Sequence, residues 1–358
     1  MTEVYCIGSG AVTPLGNGVD TVFRAVREGR TELRLHEAAP EPFYASLFDR
    51  DAFQGPSFFD HIALQAARSA VADAGIDPTS PRVGLVLSTI KGNVEQIGRA
   101  DVSLAACART LADALGVKTA PVVVSNACIS GLAALIEGMR MIRSGRFDTV
   151  IVVGAEVQSR FIVTGFQSLK ALSLNACKPF DQDRDGLNLG EAAAAMVLSS
   201  KVGFFELVDG AVRNDANHIS GPSRTGEGSY KALRYVLEKA SPGALAFVNV
   251  HGTATRYNDE MEAIALNRAG LSDTPVNALK GVFGHTMGAA GILESIVSMK
   301  ACEEGIVLPT KGFSRLGVSC PVSVSAEERG ARGDEFIKLL SGFGGVNGAL
   351  LFRKGGKR

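Results

Sequence analysis

The chain has 358 residues, of which 46% are hydrophobic and 21% charged, which argues against a disordered or fibrous protein. Lysine plus arginine equals aspartate plus glutamate at 37 each, so no net charge attracts nucleic acid or an anionic membrane. No apolar run has the length of a membrane span, and we expect no signal peptide. Six cysteines are scattered without zinc-site spacing, which predicts free thiols, no metal site and a cytoplasmic location.

Short β-branched runs alternate with longer amphipathic stretches along the chain, a rhythm typical of β-α-β units and a largely parallel sheet. The pattern predicts strands at residues 4–7, 83–87, 122–124, 149–153, 194–198, 204–209, 246–250, 275–277, 322–324 and 336–340. It predicts helices at residues 60–74, 130–144, 230–240, 259–269 and 289–303. Asp60 and Asp259 are the predicted N-caps, and Gly75 and Gly270 the predicted C-caps. Residues 30–56 and 90–116 have less pattern and are expected to form excursions or lids over the core.

The order of these elements runs twice. In each half a strand, first 122–124 and then 246–250, ends in a loop of small residues that holds a reactive side chain, and a helix follows. This order indicates an internal duplication with a seam near residues 201–203.

Cys128 lies where a β-branched strand runs directly into a helix that begins at Ser130. The positive end of a helix favours a thiolate, and a sharp strand-to-helix turn exposes its side chain. A buried structural cysteine is the commoner fate of a free cysteine, and the local sequence leaves both interpretations open. Cys177 lies in a loop that contains a proline and no helix start, so it is a weaker candidate nucleophile.

Two histidines lie in glycine-containing junctions. His251 ends a predicted strand, at the sheet edge where α/β proteins bind ligands, and His285 is preceded by Gly284 and followed by a helix. A single histidine beside a strand is more often structural than catalytic, but two such junctions together with Cys128 form a rarer pattern. The remaining histidines, His36, His61 and His218, are interpreted as structural.

Two further features have two interpretations each, and a third argues against one kind of site. Lys280 and Glu294 bracket His285 and either orient its imidazole or form a surface ion pair. The glycine loop around Phe343 follows a strand and either supplies a backbone N–H to an oxyanion hole or is a plain turn. The run Gly8-Ser-Gly10 lacks the third glycine of a dinucleotide-binding loop, which argues against a nucleotide site.

Several of these segments, taken together, resemble the signature blocks of β-ketoacyl-ACP synthases. The segments are residues 126–131 (Asn-Ala-Cys-Ile-Ser-Gly), 250–255 (Val-His-Gly-Thr-Ala-Thr), 280–291 and 342–347 (Gly-Phe-Gly-Gly-Val-Asn). Two more similar stretches, 179–186 and 215–223, extend the resemblance over nearly the whole chain. It implies the duplicated thiolase-like α/β fold, layered α-β-α-β-α with two mixed sheets. The expected halves are residues 1–202 with the nucleophile and 203–358 with both histidines.

The Cys-His-His set resembles that of the elongating members of the family. This implies a decarboxylative Claisen condensation of an acyl group, held on Cys128, with malonyl-ACP to give 3-oxoacyl-ACP. The implied pathway is fatty acid, polyketide or polyene synthesis. The resemblance implies no cofactor, because the substrates are carried on the phosphopantetheine of acyl carrier protein. That carrier is the expected partner, together with a second copy in a homodimer or a related subunit in a heterodimer.

The resemblance also assigns roles to individual residues. Cys128 matches the acylated nucleophile, and His251 and His285 match the decarboxylating pair. Lys280 and Glu294 match the groups that set the state of His285. Thr253 and Thr255 match residues that contact the phosphopantetheine arm. Phe343 matches a gating aromatic residue whose backbone N–H joins that of Cys128 in the oxyanion hole.

Two alternatives stay open beside the elongating enzyme. A thiolase needs a second cysteine near the C-terminus, where Cys320 is a poor candidate because Pro321 follows it. A non-catalytic partner of another ketosynthase predicts an unreactive Cys128, whereas the enzyme predicts an accessible thiol of low pKa. The chain is also shorter than most members before Asp60 and between residues 90 and 122. The shortening predicts an unusual or short acyl chain, or a pocket completed by a partner subunit.

Overall fold

The computed structural model describes residues 2–37, 40–51, 53–215 and 217–356. Its helices are α1 (Val19–Arg27), α2 (Phe58–Ala74), α3 (Leu104–Leu115), α4 (Ser130–Arg143), α5 (Arg160–Ser168), α6 (Glu227–Leu237), α7 (Arg256–Arg268), α8 (Lys280–Phe283) and α9 (Ala290–Glu303). Its strands are β1 (Tyr5–Thr13), β2 (Gly16–Asn17), β3 (Leu33–His36), β4 (Phe43–Ser46), β5 (Val83–Ser88), β6 (Val122–Val124), β7 (Thr149–Glu156), β8 (Leu189–Gly190), β9 (Ala192–Ser199), β10 (Phe205–Asn214), β11 (Leu245–Asn249), β12 (Pro275–Asn277), β13 (Ile306–Val307), β14 (Ser323–Val324), β15 (Arg329–Gly330), β16 (Glu335–Gly342) and β17 (Val346–Lys354). Among these described residues, no helix combines the length and apolarity needed to cross a bilayer.

The main sheet contains two halves with the same strand order. The first half runs β6-β5-β7-β9-β1, and the second runs β12-β11-β16-β17-β10 with β14 added outside β12. In each half the first three strands are parallel and the last two pair antiparallel. The halves meet where β1 pairs antiparallel with β10 through Tyr5 and Cys6. The element order therefore repeats as the sequence indicates, while the boundary after residue 202 stays a prediction.

The strands that correspond between the two halves are not the ones that the sequence pattern matches. The sequence pattern matches the strand before Cys128 with the strand before His251. In the sheet, however, β6 before Cys128 corresponds to β12, which precedes His285, and β11 before His251 corresponds to β5. The pairing was wrong because a strand's position in a sheet depends on long-range hydrogen bonds that local pattern does not contain.

Helices and sheet halves alternate in five layers. Helices α2 and α3 cover the outer face of the first half, α4 and α9 lie between the halves, and α6 and α7 cover the outer face of the second. Alternating residues of each strand face opposite layers: Ile151 and Val153 face α2, whereas Val150 and Val152 face α4 and α9. The predicted layering is therefore present, and α9 is apolar around most of its surface because it is covered on both sides.

Two predicted N-caps lie one turn too late. Ser57, not Asp60, caps α2 by accepting a hydrogen bond from Asp60 N, and Thr255, not Asp259, caps α7 through Asn258 N. Gly75 takes the left-handed conformation expected of a helix C-cap. Asp259 is instead fully buried, and its carboxylate bonds backbone groups outside its own helix.

Neither of the two weakly patterned stretches is a simple lid. Residues 30–56 contain the hairpin β3–β4, and β4 pairs with β8. Residues 90–116 contain α3, whose Cys107, Leu111 and Leu115 are buried in the outer core with α2. The sequence analysis missed α3 because its alanine-rich pattern has few large apolar residues to mark a face.

The crossing of α4 and α9 requires glycine. A Cβ atom on Gly291 would lie 2.3 Å from the backbone nitrogen of Leu132, and one on Gly131 would lie 2.9 Å from the carbonyl oxygen of Gly288. Backbone cannot rotate away as a side chain does, so these two helices approach each other only where both lack side chains.

We expect Gly291→Ala to lower the free energy of unfolding by about 1–3 kcal/mol or more, because the added methyl group overlaps the backbone of α4. Urea denaturation followed by circular dichroism measures the change. Gly165→Ala is the matched control, since a Cβ on Gly165 in α5 meets nothing within 4 Å. That control should be neutral or more stable by up to about 1 kcal/mol. Equal stability of Gly291→Ala and the wild type would contradict the close crossing.

Candidate active site

Cys128 lies in a strained turn between β6 and α4. The preceding residue, Ala127, has a φ of 45°, which is unusual for a residue other than glycine. The Ser130 hydroxyl holds this turn by donating to Ala127 O at 2.6 Å and accepting from Asn126 N at 2.7 Å. Gly342 packs against the other side, where a Cβ would lie 3.0 Å from Cys128 N. The turn predicted from the sequence is therefore present and fixed from both sides.

The expected accessible thiol of low pKa is not what the structure holds. Cys128 is only 6% exposed, and burial raises the pKa of its thiol to about 11. Lys280 and the backbone N–H groups of Phe343 and Cys128 act in the opposite direction but do not outweigh burial. The resting group is thus a neutral thiol, which must lose its proton to a nearby base before it attacks.

His251 is held by carboxylates that reach it from α7. Glu262 accepts hydrogen bonds from the backbone N–H of His251 and of Gly252, each at 2.7 Å, and from the Asn258 side chain at 2.9 Å. Asp259 accepts from Thr253 N at 3.1 Å. Asp259 and Glu262 are three residues apart and so project from one face of the helix toward the turn. They fix the backbone that carries His251, whose Nδ1 is buried without a hydrogen-bond partner.

His285 is oriented by its own loop rather than by Lys280 or Glu294. Its backbone N–H donates to Asn188 O at 2.7 Å, and its Nδ1 accepts from Met287 N at 3.2 Å. A neutral imidazole that accepts at Nδ1 carries its proton at Nε2. This Nε2 is buried without a partner. The site therefore contains one N–H donor that nothing in the described protein satisfies.

The fold brings the three predicted side chains together from three different loops. The Cys128 sulfur and ring nitrogens of both histidines lie within 4.8 Å of one another. The two rings are 5.0 Å apart, centroid to centroid, and nearly perpendicular at 81°. Burial, and then the positive charge of Lys280, lower the pKa of both imidazoles well below the ordinary value. Both rings are therefore neutral at pH 7, and each carries one N–H. The Nδ1 lone pair of His285 already accepts from Met287 N, whereas Nδ1 of His251 has no partner.

Lys280 and Glu294 form a buried ion pair, so the surface-pair interpretation was wrong. Lys280 Nζ lies 2.8 Å from Glu294 Oε1, and both side chains are 1% exposed. The other oxygen of Glu294 bonds a residue that the sequence analysis missed, Lys338, at 2.6 Å. Burial alone would raise the pKa of Glu294, but the two lysines outweigh it and hold the pKa below its ordinary value. Lys338 had one detectable signal, a lysine inside an otherwise apolar strand.

Phe343 lies next to Cys128, and its role as a gate stays a prediction. Its ring is partly buried and packs at 5.8 Å, centroid to centroid, against Phe166 of α5. Its backbone N–H and that of Cys128 both act on the Cys128 sulfur. Two N–H groups that converge on a nucleophilic atom are suited to donate to the oxygen of an acyl group attached to that atom.

Thr253 and Thr255 lie beside the turn that carries His251. Their hydroxyl oxygens are 2.9 Å apart, Thr253 is buried, and Thr255 is partly exposed as the cap of α7. Cys177 is buried, and burial raises the pKa of its thiol further than that of Cys128. Cys320 is partly exposed, and its sulfur accepts a hydrogen bond from the Ser319 hydroxyl. Neither cysteine belongs to the group of ligand atoms around Cys128.

The comparisons with known proteins agree with this geometry. The model for the β-ketoacyl synthase N-terminal domain matches residues 1–202, and the model for the C-terminal domain of the same family matches residues 204–314. The chain belongs to the β-ketoacyl synthase family. The resemblance stated from the sequence blocks is thereby confirmed.

Individual β-ketoacyl synthases match along their full length. The tetracenomycin polyketide synthase ketoacyl synthase alpha subunit of Streptomyces glaucescens is 30% identical over 98% of this chain and 97% of its own length. The 3-oxoacyl-[acyl-carrier-protein] synthase 2 of Staphylococcus aureus is 27% identical over 98% of both chains. The first alignment spans 418 positions against a chain of 358 residues, so that relative contains segments that are absent here.

Solved structures confirm the thiolase-like fold class. A β-ketoacyl synthase from Burkholderia phymatum STM815 superposes with a TM-score of 0.88 at 26% identity, over 99% of this chain and all of that one. A chain of a ketosynthase in complex with its chain length factor from Xenorhabdus doucetiae gives 0.89 at 25% identity, over 99% of this chain and 98% of that one.

Glu262 also escaped the sequence analysis, and it generates a prediction. We expect Glu262→Gln to lower activity by about 10- to 100-fold, because the side-chain amide places an NH₂ group against backbone donors that fix His251. The free energy of unfolding should fall by about 1–3 kcal/mol. Steady-state kinetics and urea denaturation measure the two effects. Glu238→Gln, at an exposed position beyond α6, is the control and should change neither. Wild-type activity in Glu262→Gln would show that this carboxylate does not position His251.

Proposed function

We propose that the protein catalyses the decarboxylative Claisen condensation of an acyl group with malonyl-ACP to give 3-oxoacyl-ACP. The observation that carries this proposal is the buried cluster of one cysteine and two neutral histidines within 4.8 Å. The cluster lies in a chain whose family and relatives are β-ketoacyl synthases. The roles of the individual residues below are part of the proposal.

The first half-reaction loads the enzyme. The Cys128 thiol gives its proton to an adjacent imidazole lone pair, and the sulfur attacks the thioester carbonyl of the acyl carrier. The carbon–sulfur bond to phosphopantetheine breaks, and that sulfur takes the proton. Thioester exchange is nearly balanced in energy, so the acyl-enzyme divides one difficult step into two easier ones. The N–H groups of Phe343 and Cys128 stabilise the oxyanion.

The second half-reaction forms the carbon–carbon bond. The malonyl carboxylate leaves as CO₂, and the electron pair of the broken bond moves into an enolate whose oxygen accepts from imidazole N–H. The unpartnered Nε2–H of His285 is suited to this role, because a donor held in a dry site requires no reorganisation when charge develops. The enolate carbon attacks the acyl carbonyl, the carbon–sulfur bond to Cys128 breaks, and the departing thiolate takes a proton from solvent water.

The proposal includes two partners of this chain, acyl carrier protein and a second subunit. The hydroxyls of Thr253 and Thr255 bind the phosphopantetheine arm of acyl carrier protein, supported by their place beside the His251 turn and the partial exposure of Thr255. A dimer forms along β6, an edge strand of the main sheet that ends four residues before Cys128. The second subunit is another copy or a related chain, since the Xenorhabdus relative was solved with a chain length factor.

The proposal also covers cofactor use and cellular location. The reaction uses no metal or redox cofactor, because the chemistry above is complete with a thiol and two imidazoles. The protein acts in the reducing cytoplasm, which is supported by six cysteines that are all unbridged. The buried thiol of raised pKa, taken alone, is what a non-catalytic partner predicts. Such a partner explains neither a cysteine beside two histidines nor the unpartnered imidazole N–H, so the enzyme is favoured and acylation of Cys128 is the deciding test.

We expect incubation with acyl-ACP to add one acyl mass to the wild-type protein and none to Cys128→Ala. Intact-protein mass spectrometry with acyl-ACPs of several chain lengths measures the adduct and the preferred chain together. Cys177→Ala is the matched control and should load normally, because Cys177 lies outside the cluster. A folded wild-type protein that accepts no acyl group would instead support a non-catalytic subunit.

We expect His285→Ala to lower the rate of malonyl-ACP decarboxylation by about 10²–10³-fold, the usual effect of removing one hydrogen-bond donor from a developing oxyanion. Cys128 should still be acylated if His251 takes its proton. Release of labelled CO₂ and the acyl adduct mass separate the two half-reactions. His61→Ala, on α2, serves as the control. Unchanged decarboxylation in His285→Ala would show that other hydrogen-bond donors stabilise the enolate oxygen.

A further inference from the structure

Lys338 is a charged residue at the centre of an apolar strand. Its neighbours Ile337 and Leu339 face α6 and α7, whereas Phe336 and Leu340 face the central helices α4 and α9. By alternation Lys338 shares the central face, and its side chain is fully buried. A lysine at such a position costs several kcal/mol in lost hydration unless other groups compensate it.

The contacts of Lys338 connect two parts of the active site. Its Nζ donates to Glu294 Oε2 at 2.6 Å and to the carbonyl oxygen of Val250 at 3.1 Å. Val250 immediately precedes His251 in the chain. The ammonium therefore ties the backbone that carries His251 to the carboxylate that also holds Lys280.

The charges in this cluster do not balance. Glu294 supplies one negative charge, and Lys280 at 2.8 Å is sufficient to neutralise it. Lys338 adds a second ammonium, so the buried triad of two lysines and one glutamate carries a net positive charge. Glu262 also acts on Lys338, but burial raises the pKa of its carboxyl to about 7, so at neutral pH it offsets that charge only in part. Packing would be served as well by an apolar residue, because replacing a buried ion by a well-packed apolar group is often neutral or stabilising.

We propose that Lys338 is a positioning residue of this active site, whose ammonium anchors the His251 backbone and supplies the excess positive charge that the developing enolate requires. The role in catalysis rests on the proposed condensation. The effect on the two imidazoles does not, because the positive charge of Lys338 disfavours their protonation in the resting protein. The inference therefore has one consequence that needs no substrate.

Titratable groups from five segments interact electrostatically with Lys338. They are Glu294 of α9, Lys280 of α8, Glu262 of α7 and the two histidines of the loops that follow β11 and α8. Burial lowers the pKa of Lys338 to about 8, with a further lowering by Lys280 and an opposing effect of Glu294. The ammonium is thus charged at neutral pH and loses its proton as the pH rises through about 8.

The test compares Lys338→Met and Lys338→Gln with the wild type between pH 5.5 and 9.5. In the wild type, the rate of malonyl-ACP decarboxylation should fall roughly tenfold as the pH rises through 8, because the charge that stabilises the enolate disappears. Both variants should be roughly tenfold slower at pH 7 and should lack this alkaline decrease. Lys300→Met, the same change at a lysine that pairs with Asp20 and Glu303 near the surface, should retain the wild-type profile.

A second readout follows the imidazoles without substrate, by NMR of protein labelled with ¹³C at histidine Cε1. In both variants His251 and His285 should protonate about one pH unit higher than in the wild type. In the wild type their resonances should shift near pH 8 as Lys338 loses its proton. His36, His61 and His218 lie on other elements, so their resonances serve as internal controls.

The inference would be overturned if the histidines of either folded variant titrate as they do in the wild type. It would also be overturned if the decarboxylation rate of either variant depends on pH as the wild-type rate does. If neither variant folds, the wild-type spectra decide, since no shift of the two histidines near pH 8 would equally overturn it. The two readouts also separate this inference from the proposed function. An NMR effect without condensing activity would refute the function alone, whereas condensing activity without the NMR effect would refute the role of Lys338 alone.

Discussion

The active site depends on one carboxylate that is buried between two ammonium groups. Glu294 lies on α9, a helix between the two sheet halves, and forms ion pairs with Lys280 of α8 and Lys338 of β16. Such a group is costly to bury alone, and each partner reduces that cost. The arrangement therefore couples α9, α8 and β16, and through Val250 it also reaches the turn that carries His251.

Burial then determines the chemical state of every reactive group. It raises the pKa of the Cys128 thiol to about 11 and lowers the pKa of both imidazoles well below the usual range. Both effects favour neutral forms, so the resting site contains a thiol and two neutral rings rather than an ion pair. A neutral ring can take a proton in the loading step and donate an N–H in the condensation step.

The reactive groups meet because two helices cross without side chains. The close approach of α4 and α9 at Gly131 and Gly291 brings the turn that carries Cys128 against the segment that follows His285. Glu156 reinforces this contact, since its carboxylate accepts hydrogen bonds from Gly288 N at 3.1 Å and Ile90 N at 2.9 Å. The central layer is thus both the core of the fold and the support of the site.

The sequence by itself determined the fold class, most elements and the candidate reactive residues, because each has a local signal. Strands such as β7 are continuous apolar runs, and Cys128, His251 and His285 each lie at a junction whose glycines or small residues are visible in one dimension. The resemblance over nearly the whole chain then joined these signals into one family. Caps were predicted a turn late at Asp60 and Asp259 because both the true and the apparent caps are polar residues before an apolar run.

Only the tertiary structure decided which strands correspond between the halves, which groups are buried and which charges meet. Lys338 and Glu262 are 44 and 32 residues from Glu294 along the chain, and nothing local indicates that one lysine shares a carboxylate with another. The pKa of Cys128 was predicted in the wrong direction for the same reason. A helix start is a local feature that favours the thiolate, whereas desolvation is the sum of everything packed around the sulfur, and here it is the larger effect.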